Sequence, residues 1–143
     1  MKHVATYLLA AILLCSSCKG AKVQQAEVST PVDLLTVRID DTLLDHPISD
    51  TVELGRLRSG EIIAKTIRIE NHSDNPLVLT HHQVGCGCLS ATYDRKPIVP
   101  KGSTDVVMEF DSRTMYGLQL KTLNLFFAEK GQPLKIFVTA EVE

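Results

Sequence analysis

The sequence predicts an all-β fold, an antiparallel sandwich of about seven short strands that follows an N-terminal signal peptide. Two observations carry this prediction: apolar and polar residues alternate with period two in several segments, and residues typical of turns separate these segments. No apolar stripe of helical period continues across the turns. A closed barrel would show the same alternation and is the alternative.

The strands are predicted where alternate residues are apolar, because successive side chains of a strand point to opposite faces of a sheet. The inward positions of four such segments are Leu35, Val37 and Ile39; Ile67 and Ile69; Val106, Met108 and Phe110; and Leu134, Ile136, Val138, Ala140 and Val142. Glycine, proline and short polar residues mark turns near Gly60 and at 71–76, 95–102, 113–117 and 129–133.

These patterns also predict which side chains are buried between the sheets. The residues expected in the core are Ile67, Ile69, Leu77, Leu79, Val106, Met108, Phe110, Leu123, Leu125, Ile136 and Val138. The polar residues expected to face water are Arg68, Glu70, Glu109 and Lys135.

One segment breaks the alternation. Leu118 and Leu120 have one parity, whereas the apolar residues at 123, 125 and 127 have the other. Either a β-bulge near Lys121 or a bend of the strand between the two sheets would account for the change.

Residues 1–17 have the pattern of a secretory signal. Lys2 and His3 precede an apolar run from Val4 to Leu14, and two serines follow Cys15. The run is shorter than the roughly 20 apolar residues that a membrane-spanning helix needs. We therefore expect an export signal.

The end of this signal resembles a bacterial lipobox, in which small residues precede a cysteine that is lipidated. Cys18 fits that position better than Cys15, which would place bulky Leu14 at the cleavage site. Cys15 itself stands where lipoproteins usually carry leucine. The resemblance implies cleavage before Cys18 and anchoring through acyl chains there; plain secretion is the alternative.

The mature chain is then predicted to have two parts. Residues 18–31 would be the lipidated cysteine and a polar tether that ends at Pro31, and residues 32–143 would form one domain. After processing, Cys86 and Cys88 are the cysteines left to this domain.

Cys86 and Cys88 are candidate redox or metal-binding residues, together with His81 or His82. On a continuous strand the two thiols would share a face and, with one imidazole, would suit copper(I) or zinc. Adjacent histidines point to opposite faces, so at most one could be a ligand.

A disulfide between the two cysteines would need a fold in the backbone. Side chains two residues apart on a strand stand roughly 6.5–7 Å apart, whereas bonded Cβ atoms lie about 3.5–4.5 Å apart. Gly87 would permit that fold, and the resulting bridge would be easily reduced. Two reduced thiols packed as small apolar residues are the other interpretation.

Other classes of function find little support in the sequence. A net charge of −2 without a basic cluster argues against nucleic-acid binding. The polar stretch at 72–76 holds a histidine, a serine and an aspartate, but it lies between two strands and is typical of a turn. "GCGC" lacks the lysine of a phosphate loop. We expect neither an enzyme nor a cofactor.

Four segments carry a resemblance to a known family: "VELGRLRSGE", "IRIENHSDNPLVL", "VGCGCLSATYDRKPIVPKGSTDVVMEFD" and "YGLQLKTLNLFF". In this order they resemble bacterial domain-of-unknown-function family 1573 over Thr51 to Glu143, and the fold is similar to that of Hydin-type immunoglobulin-like domains. The resemblance implies an immunoglobulin-like sandwich in a Gram-negative envelope protein and implies no reaction.

The sequence thus predicts a non-catalytic, lipid-anchored envelope protein that faces the periplasm. Its domain would bind a protein partner or serve a structural role, with the membrane contacted through the anchor. The alternative is a periplasmic thiol-redox or copper- or zinc-binding protein that uses Cys86 and Cys88.

Overall fold

Eight strands form two sheets in the part of the chain that the computed structural model describes, residues 34–43 and 46–143. A short 3-10 helix, Asp41–Leu43, follows the first strand. The strands are β1 (Leu34–Ile39), β2 (Ile48–Leu57), β3 (Ile62–Asn71), β4 (Leu79–Val84), β5 (Leu89–Tyr93), β6 (Ser103–Asp111), β7 (Gly117–Phe127) and β8 (Leu134–Val142).

The predictions for the N-terminus concern residues outside these ranges. The signal at 1–17, Cys18 and the tether to residue 31 all lie outside the described residues. Within the described ranges, no helix is long and apolar enough to cross a membrane.

The strands are arranged as an immunoglobulin-like sandwich, which confirms the predicted fold class. Sheet A has the order β1-β3-β6-β5, and sheet B has the order β2-β8-β7-β4. The two sheets are separate, so the structure is not a closed barrel.

Two details differ from the prediction: eight strands are described rather than about seven, and the sheets are not purely antiparallel. β1 runs parallel to β3, and β2 runs parallel to β8. Both are edge strands that join neighbours distant in the sequence. Alternation indicates which face of a strand is apolar, but it does not indicate the direction of the neighbouring strand.

The core lies between the two sheets and contains every apolar residue predicted for it, each at most 1% exposed. β8 shows why the prediction works, because every second residue from Leu134 to Val142 is buried. Of the polar residues predicted to face water, Glu109 and Lys135 are exposed. Arg68 and Glu70 are half-buried, because each joins an ion pair along the surface of sheet A.

The break in alternation within β7 has a different cause from the two that were predicted. β7 pairs with β8 in continuous register from Gly117 to Leu125, with no bulge near Lys121 and no transfer to the other sheet. Leu118 and Leu120 instead lie on the outer face and are exposed. Bulges occur elsewhere in sheet B, at 53–56 in β2 and 79–81 in β4.

The polar stretch after β3 is a turn, as predicted, and its serine has a structural role. Asn71 is fully buried, and its Oδ1 accepts hydrogen bonds from the N–H of Ser73 at 2.9 Å and from its hydroxyl at 2.7 Å. Nδ2 of Asn71 donates to the carbonyl oxygens of Asn75 and Ile98, both at 2.8 Å. These bonds satisfy the polar groups that the turn buries.

Lys130 holds the connection between β1 and β2 through hydrogen bonds. It lies just after β7, is only 7% exposed, and its Nζ donates to the carbonyl oxygen of Leu43 at 2.7 Å and to that of His46. A buried ammonium group needs such acceptors, since burial removes its water.

Candidate functional site

The chain crosses from sheet B to sheet A through a corner at 85–88, where Cys86 and Cys88 form a disulfide. Their Cα atoms are 5.2 Å apart, inside the usual range for disulfides. The backbone turns here, since the N–H of Leu89 donates to the carbonyl oxygen of Cys86 at 3.5 Å. Of the alternatives that the sequence left open, the structure contains the local bridge.

The fold of this corner does not require a glycine conformation at Gly85 or Gly87. Gly87 has no positive φ, and a Cβ added there would meet no heavy atom within 4 Å. At Gly85 an added Cβ would be 3.7 Å from the carbonyl oxygen of Thr122, an ordinary contact. Gly87 is compatible with this fold, as expected, but the fold does not require glycine, because an alanine would fit the same backbone.

The two histidines of β4 face opposite ways, as predicted for neighbours on a strand. The ring of His81 stacks on Phe126, with centroids 4.3 Å apart and planes at 5°. His82 makes an edge contact with Tyr93 of β5, with centroids 5.6 Å apart and Nδ1 3.3 Å from the tyrosine hydroxyl oxygen. Each ring is thus held by an aromatic side chain.

The four candidate residues form no metal site in this structure. Across residues 34–43 and 46–143, no group of three or more His, Cys, Asp or Glu side chains is placed to hold an ion. Cys86 and Cys88 are half-buried and bonded to each other, whereas metal binding requires thiolates. What the corner can do chemically in this state is exchange its disulfide with an external thiol.

A second feature lies on sheet B, at the beginning of β7. Leu118 and Leu120 are 86% and 64% exposed, and Tyr116 just before them is 74% exposed. Of the six large apolar side chains exposed in the described part of the chain, these account for three. Such clustering is uncommon on the surface of a monomer and marks interaction sites.

The two leucines form one wall of a groove of about 440 Å³ on the outer face of sheet B. Cross-strand pairing sets this arrangement, since Leu118 lies opposite Glu141 of β8, and Leu120 lies opposite Thr139. The other wall belongs to the bulge of β2, where Arg56 pairs with Glu141 at 3.1 Å. One side of the groove is therefore apolar, and the other is charged.

The edge of β7 is open beside these leucines. β4 covers β7 only from Leu123 to Phe127, and the last bond between them runs from the N–H of Gly85 to the carbonyl oxygen of Thr122 at 3.0 Å. Residues 117–121 have β8 on one side and no strand of the described chain on the other. We call this segment, 117–121, the open edge.

At Leu118 and Leu120 the main-chain groups of the open edge point away from β8. The carbonyl of Thr122 points toward β4, and the polar groups of alternate residues on a strand point to the same side. The N–H and C=O groups of Leu118 and Leu120 therefore point to the side that β4 leaves uncovered. The sequence signal for this feature was the break in alternation, for which a bulge near Lys121 or a bend of the strand between the sheets had been predicted.

Fold and site together define a small two-sheet sandwich with a disulfide corner and a strand segment that has exposed leucines and one open side. The chain belongs to the DUF1573 family, described as a protein of unknown function, whose family model matches residues 47–142. This confirms the family resemblance carried by the quoted segments.

Solved structures show the same fold. A protein of unknown function from Porphyromonas gingivalis W83 is 26% identical with a TM-score of 0.58; the match covers 65% of this chain and 44% of that one. The protease VesB of Vibrio cholerae is 15% identical, with a TM-score of 0.53 over 66% of this chain and 30% of its own. The secreted serine protease VesC of Vibrio cholerae is 14% identical, with a TM-score of 0.51 over 63% of this chain and 21% of its own.

The likeness to the two proteases shows the fold alone, and this chain spans less than half of the Porphyromonas protein. A comparison with curated proteins gave no match.

Proposed function

We propose that this protein is a lipid-anchored, non-catalytic binding module of the cell envelope, a Hydin-type immunoglobulin-like domain carried on a lipoprotein. It faces the periplasm and binds a protein partner through the start of β7. The observation that carries this proposal is the exposure of Leu118 and Leu120 beside unpaired main-chain groups.

The energetic argument concerns both side chains and backbone. Burial of a leucine side chain is worth about 1.5–3 kcal/mol relative to exposure, so a partner that covered both would gain several kcal/mol. An added strand would also satisfy the main-chain groups of the open edge.

A binding role also suits the chemistry of the groove. The residues that line it include no histidine, cysteine or serine, and the guanidinium of Arg56 is already paired with carboxylates of Glu141 and Glu143. The groove therefore presents shape and apolar surface rather than a nucleophile beside a base. Its mixed charges favour neither nucleic acid nor a cofactor phosphate.

The anchoring part of the proposal rests on Ser16, Ser17 and Cys18 at the end of the apolar run. The intact mass of the mature protein should correspond to a chain that starts at Cys18 and carries acyl chains. Cys18→Ala should move the protein from the membrane fraction to the soluble fraction, whereas Cys15→Ala should leave it in the membrane fraction. An uncleaved N-terminus or an unlipidated mature chain would contradict the anchor.

The binding part can be tested with a photo-reactive amino acid in place of Leu118. Irradiation of cells should give a cross-linked product that is absent when the same amino acid replaces Lys135, an exposed residue elsewhere on sheet B. Absence of any product at position 118 would reject the binding surface.

A second candidate function, thiol exchange, is favoured by one observation: the disulfide of Cys86 and Cys88 lies at a half-exposed corner. Closing so short a loop stabilises a fold by only about 1.5 kcal/mol in the chain-entropy model, against about 3 for a 15-residue loop. A donor dithiol would attack one sulfur of the bridge and release the other as a thiolate. The second thiolate of the donor would then displace the remaining cysteine from the mixed disulfide. The donor leaves as a disulfide, and Cys86 and Cys88 are left as reduced thiols.

Equilibration with dithiothreitol buffers of known potential tests this alternative. A potential below about −300 mV would place the bridge among structural disulfides, and a higher one would support exchange. The metal form of this alternative requires copper or zinc to bind the reduced protein stoichiometrically and to be lost when both cysteines are replaced by serine.

A further inference from the structure

We propose that the open edge pairs with the open edge of a second copy of this chain, so that two B sheets join into one continuous sheet. The inference rests on the proposed function, since it names the protein that covers Leu118 and Leu120. Its basis is the fit of this segment to itself in antiparallel register.

The open edge is a short piece of regular strand with defined ends. Gly117 has a φ of +73°, so the extended conformation begins after it. β4 begins to cover β7 at Thr122, whose carbonyl accepts the N–H of Gly85. An incoming strand must therefore pair within residues 117–121.

A two-fold axis through Gln119 satisfies this limit. It places Leu118 of each copy opposite Leu120 of the other, and these are the residues whose N–H and C=O groups point outward. Each such pair exchanges two main-chain hydrogen bonds, and the leucine side chains meet on the same face. An axis through Leu118 would instead require Tyr116, which precedes β7, to join the ladder.

The charges also fit this register. Residues 116–120 carry no charge, and Lys121 falls opposite Gly117 of the other copy, so no like charges face each other. A two-fold contact uses the same patch twice and must complement itself, which this segment does.

β2, the other edge of sheet B, has features that discourage pairing, and residues 117–120 of the open edge lack them. β2 carries a bulge between Glu53 and Arg56, and both of those residues are charged and exposed. Natural proteins block their edges in this way. The open edge has continuous register with β8 and presents exposed apolar side chains. Both features favour pairing with a further strand.

A cysteine at the axis tests the pairing directly. In Gln119→Cys the two new thiols form a non-hydrogen-bonded pair with Cα atoms about 4.5 Å apart, which lies within disulfide range. Mild oxidation of the purified full chain should give a disulfide-linked dimer at least tenfold above the background of the parent chain. Lys135→Cys, exposed on β8, is the matched control and should stay at background. Equal yields from the two variants would overturn the inference.

A charge exchange at the paired leucines tests the register. In the Gln119→Cys background, Leu118→Lys with Leu120→Lys places like charges opposite each other and should abolish the cross-link. Leu118→Lys with Leu120→Glu places opposite charges together and should restore at least half of it, with a yield that falls as salt is added. Both positions are exposed, so both variants should fold with unchanged circular dichroism. Equal loss in both would show that the register is wrong.

The photo-cross-link at position 118 separates this inference from the proposed function. A product of twice the chain mass supports the second copy. A product with a different protein, without self-cross-linking through Gln119→Cys, overturns the second copy and keeps the binding module. Absence of both products rejects the two together.

Discussion

The two halves of β7 have similar apolar content and different surroundings. From Leu123 to Phe127 the strand lies between β8 and β4, and its inward leucines are fully buried. From Gly117 to Lys121 it has β8 alone, and its leucines lie on the outer face. Burial in this strand therefore depends on which face a side chain occupies, and the open edge depends on where β4 stops; neither depends on how apolar the sequence is.

The boundary between the halves coincides with the disulfide corner. β4 leaves β7 at the bond from Gly85 to Thr122, and the chain then passes through Cys86 and Cys88 to β5 in sheet A. The corner that carries the chain from one sheet to the other thus also uncovers the start of β7. The two candidate functional features are consequences of the same crossing.

The largest expected difference between the halves is in stability. Leu125→Ala should lower the free energy of unfolding by about 2–5 kcal/mol, because it leaves a cavity between the sheets. Leu118→Ala should change it by no more than about 0.5 kcal/mol, because the side chain has few protein contacts to lose. Urea denaturation of both variants measures the contrast. Comparable losses at a protein concentration at which the chain is monomeric would mean that the open half is covered within the monomer.

The sequence could predict the sandwich and its core, because period-two alternation directly reports a half-buried strand. Every predicted core residue, from Ile67 to Val138, is buried. The same signal could not separate an inward apolar face from an outward one. Leu118 and Leu120 are as apolar as core residues, and only the continuous pairing of β7 with β8 shows that they lie on the outer face. The parallel edge strands were missed because pairing partners distant in the chain leave no local pattern.

The site was predictable only in part. Cys86 and Cys88 could be singled out, but spacing alone could not decide between a bridge and two free thiols, since that depends on where β4 stops. The aromatic partners of His81 and His82 come from β7 and β5, which sequence reasoning could not bring beside β4.

The covered end of β7 leads to Lys130. Replacement of this lysine should cause the next largest loss of stability. Lys130→Met keeps most of the volume but removes the donor to the carbonyl oxygens of Leu43 and His46. Loss of a buried donor should cost about 1–3 kcal/mol. Lys135→Met, at an exposed position of β8, should stay within about 0.5 kcal/mol in the same urea assay. An unchanged urea midpoint for Lys130→Met would show that these hydrogen bonds contribute little to stability.

Removing the disulfide should loosen the contact with β7 at the boundary between the halves, and the loss of stability should be smaller. Cys86→Ser with Cys88→Ser should lower stability by about 1.5 kcal/mol and speed hydrogen exchange of the Gly85 amide, which bonds to Thr122. Gly87→Ala should leave both stability and bridge unchanged, because its backbone and surroundings accept a Cβ. Loss of the bridge in Gly87→Ala would restore the importance of glycine at this corner.

The smallest effect is the response of stability to acid, which should depend on the charged surface of sheet A and not on the leucines of the open edge. Hydrogen bonds from Arg68 at 2.8 and 3.0 Å hold the pKa of Asp105 below its usual value. Because the folded-state pKa is the lower one, this pair stabilises the fold above about pH 4, and its contribution is lost as the pH falls through the folded-state value. Both side chains are about two-fifths exposed, 40% for Arg68 and 44% for Asp105, so solvent screening keeps the contribution small and salt-sensitive. Asp105→Asn should therefore flatten the fall in urea midpoint between pH 5 and about pH 3, while Leu118→Ala should leave its slope unchanged. A steeper fall in Asp105→Asn would contradict the assigned direction of the pKa shift.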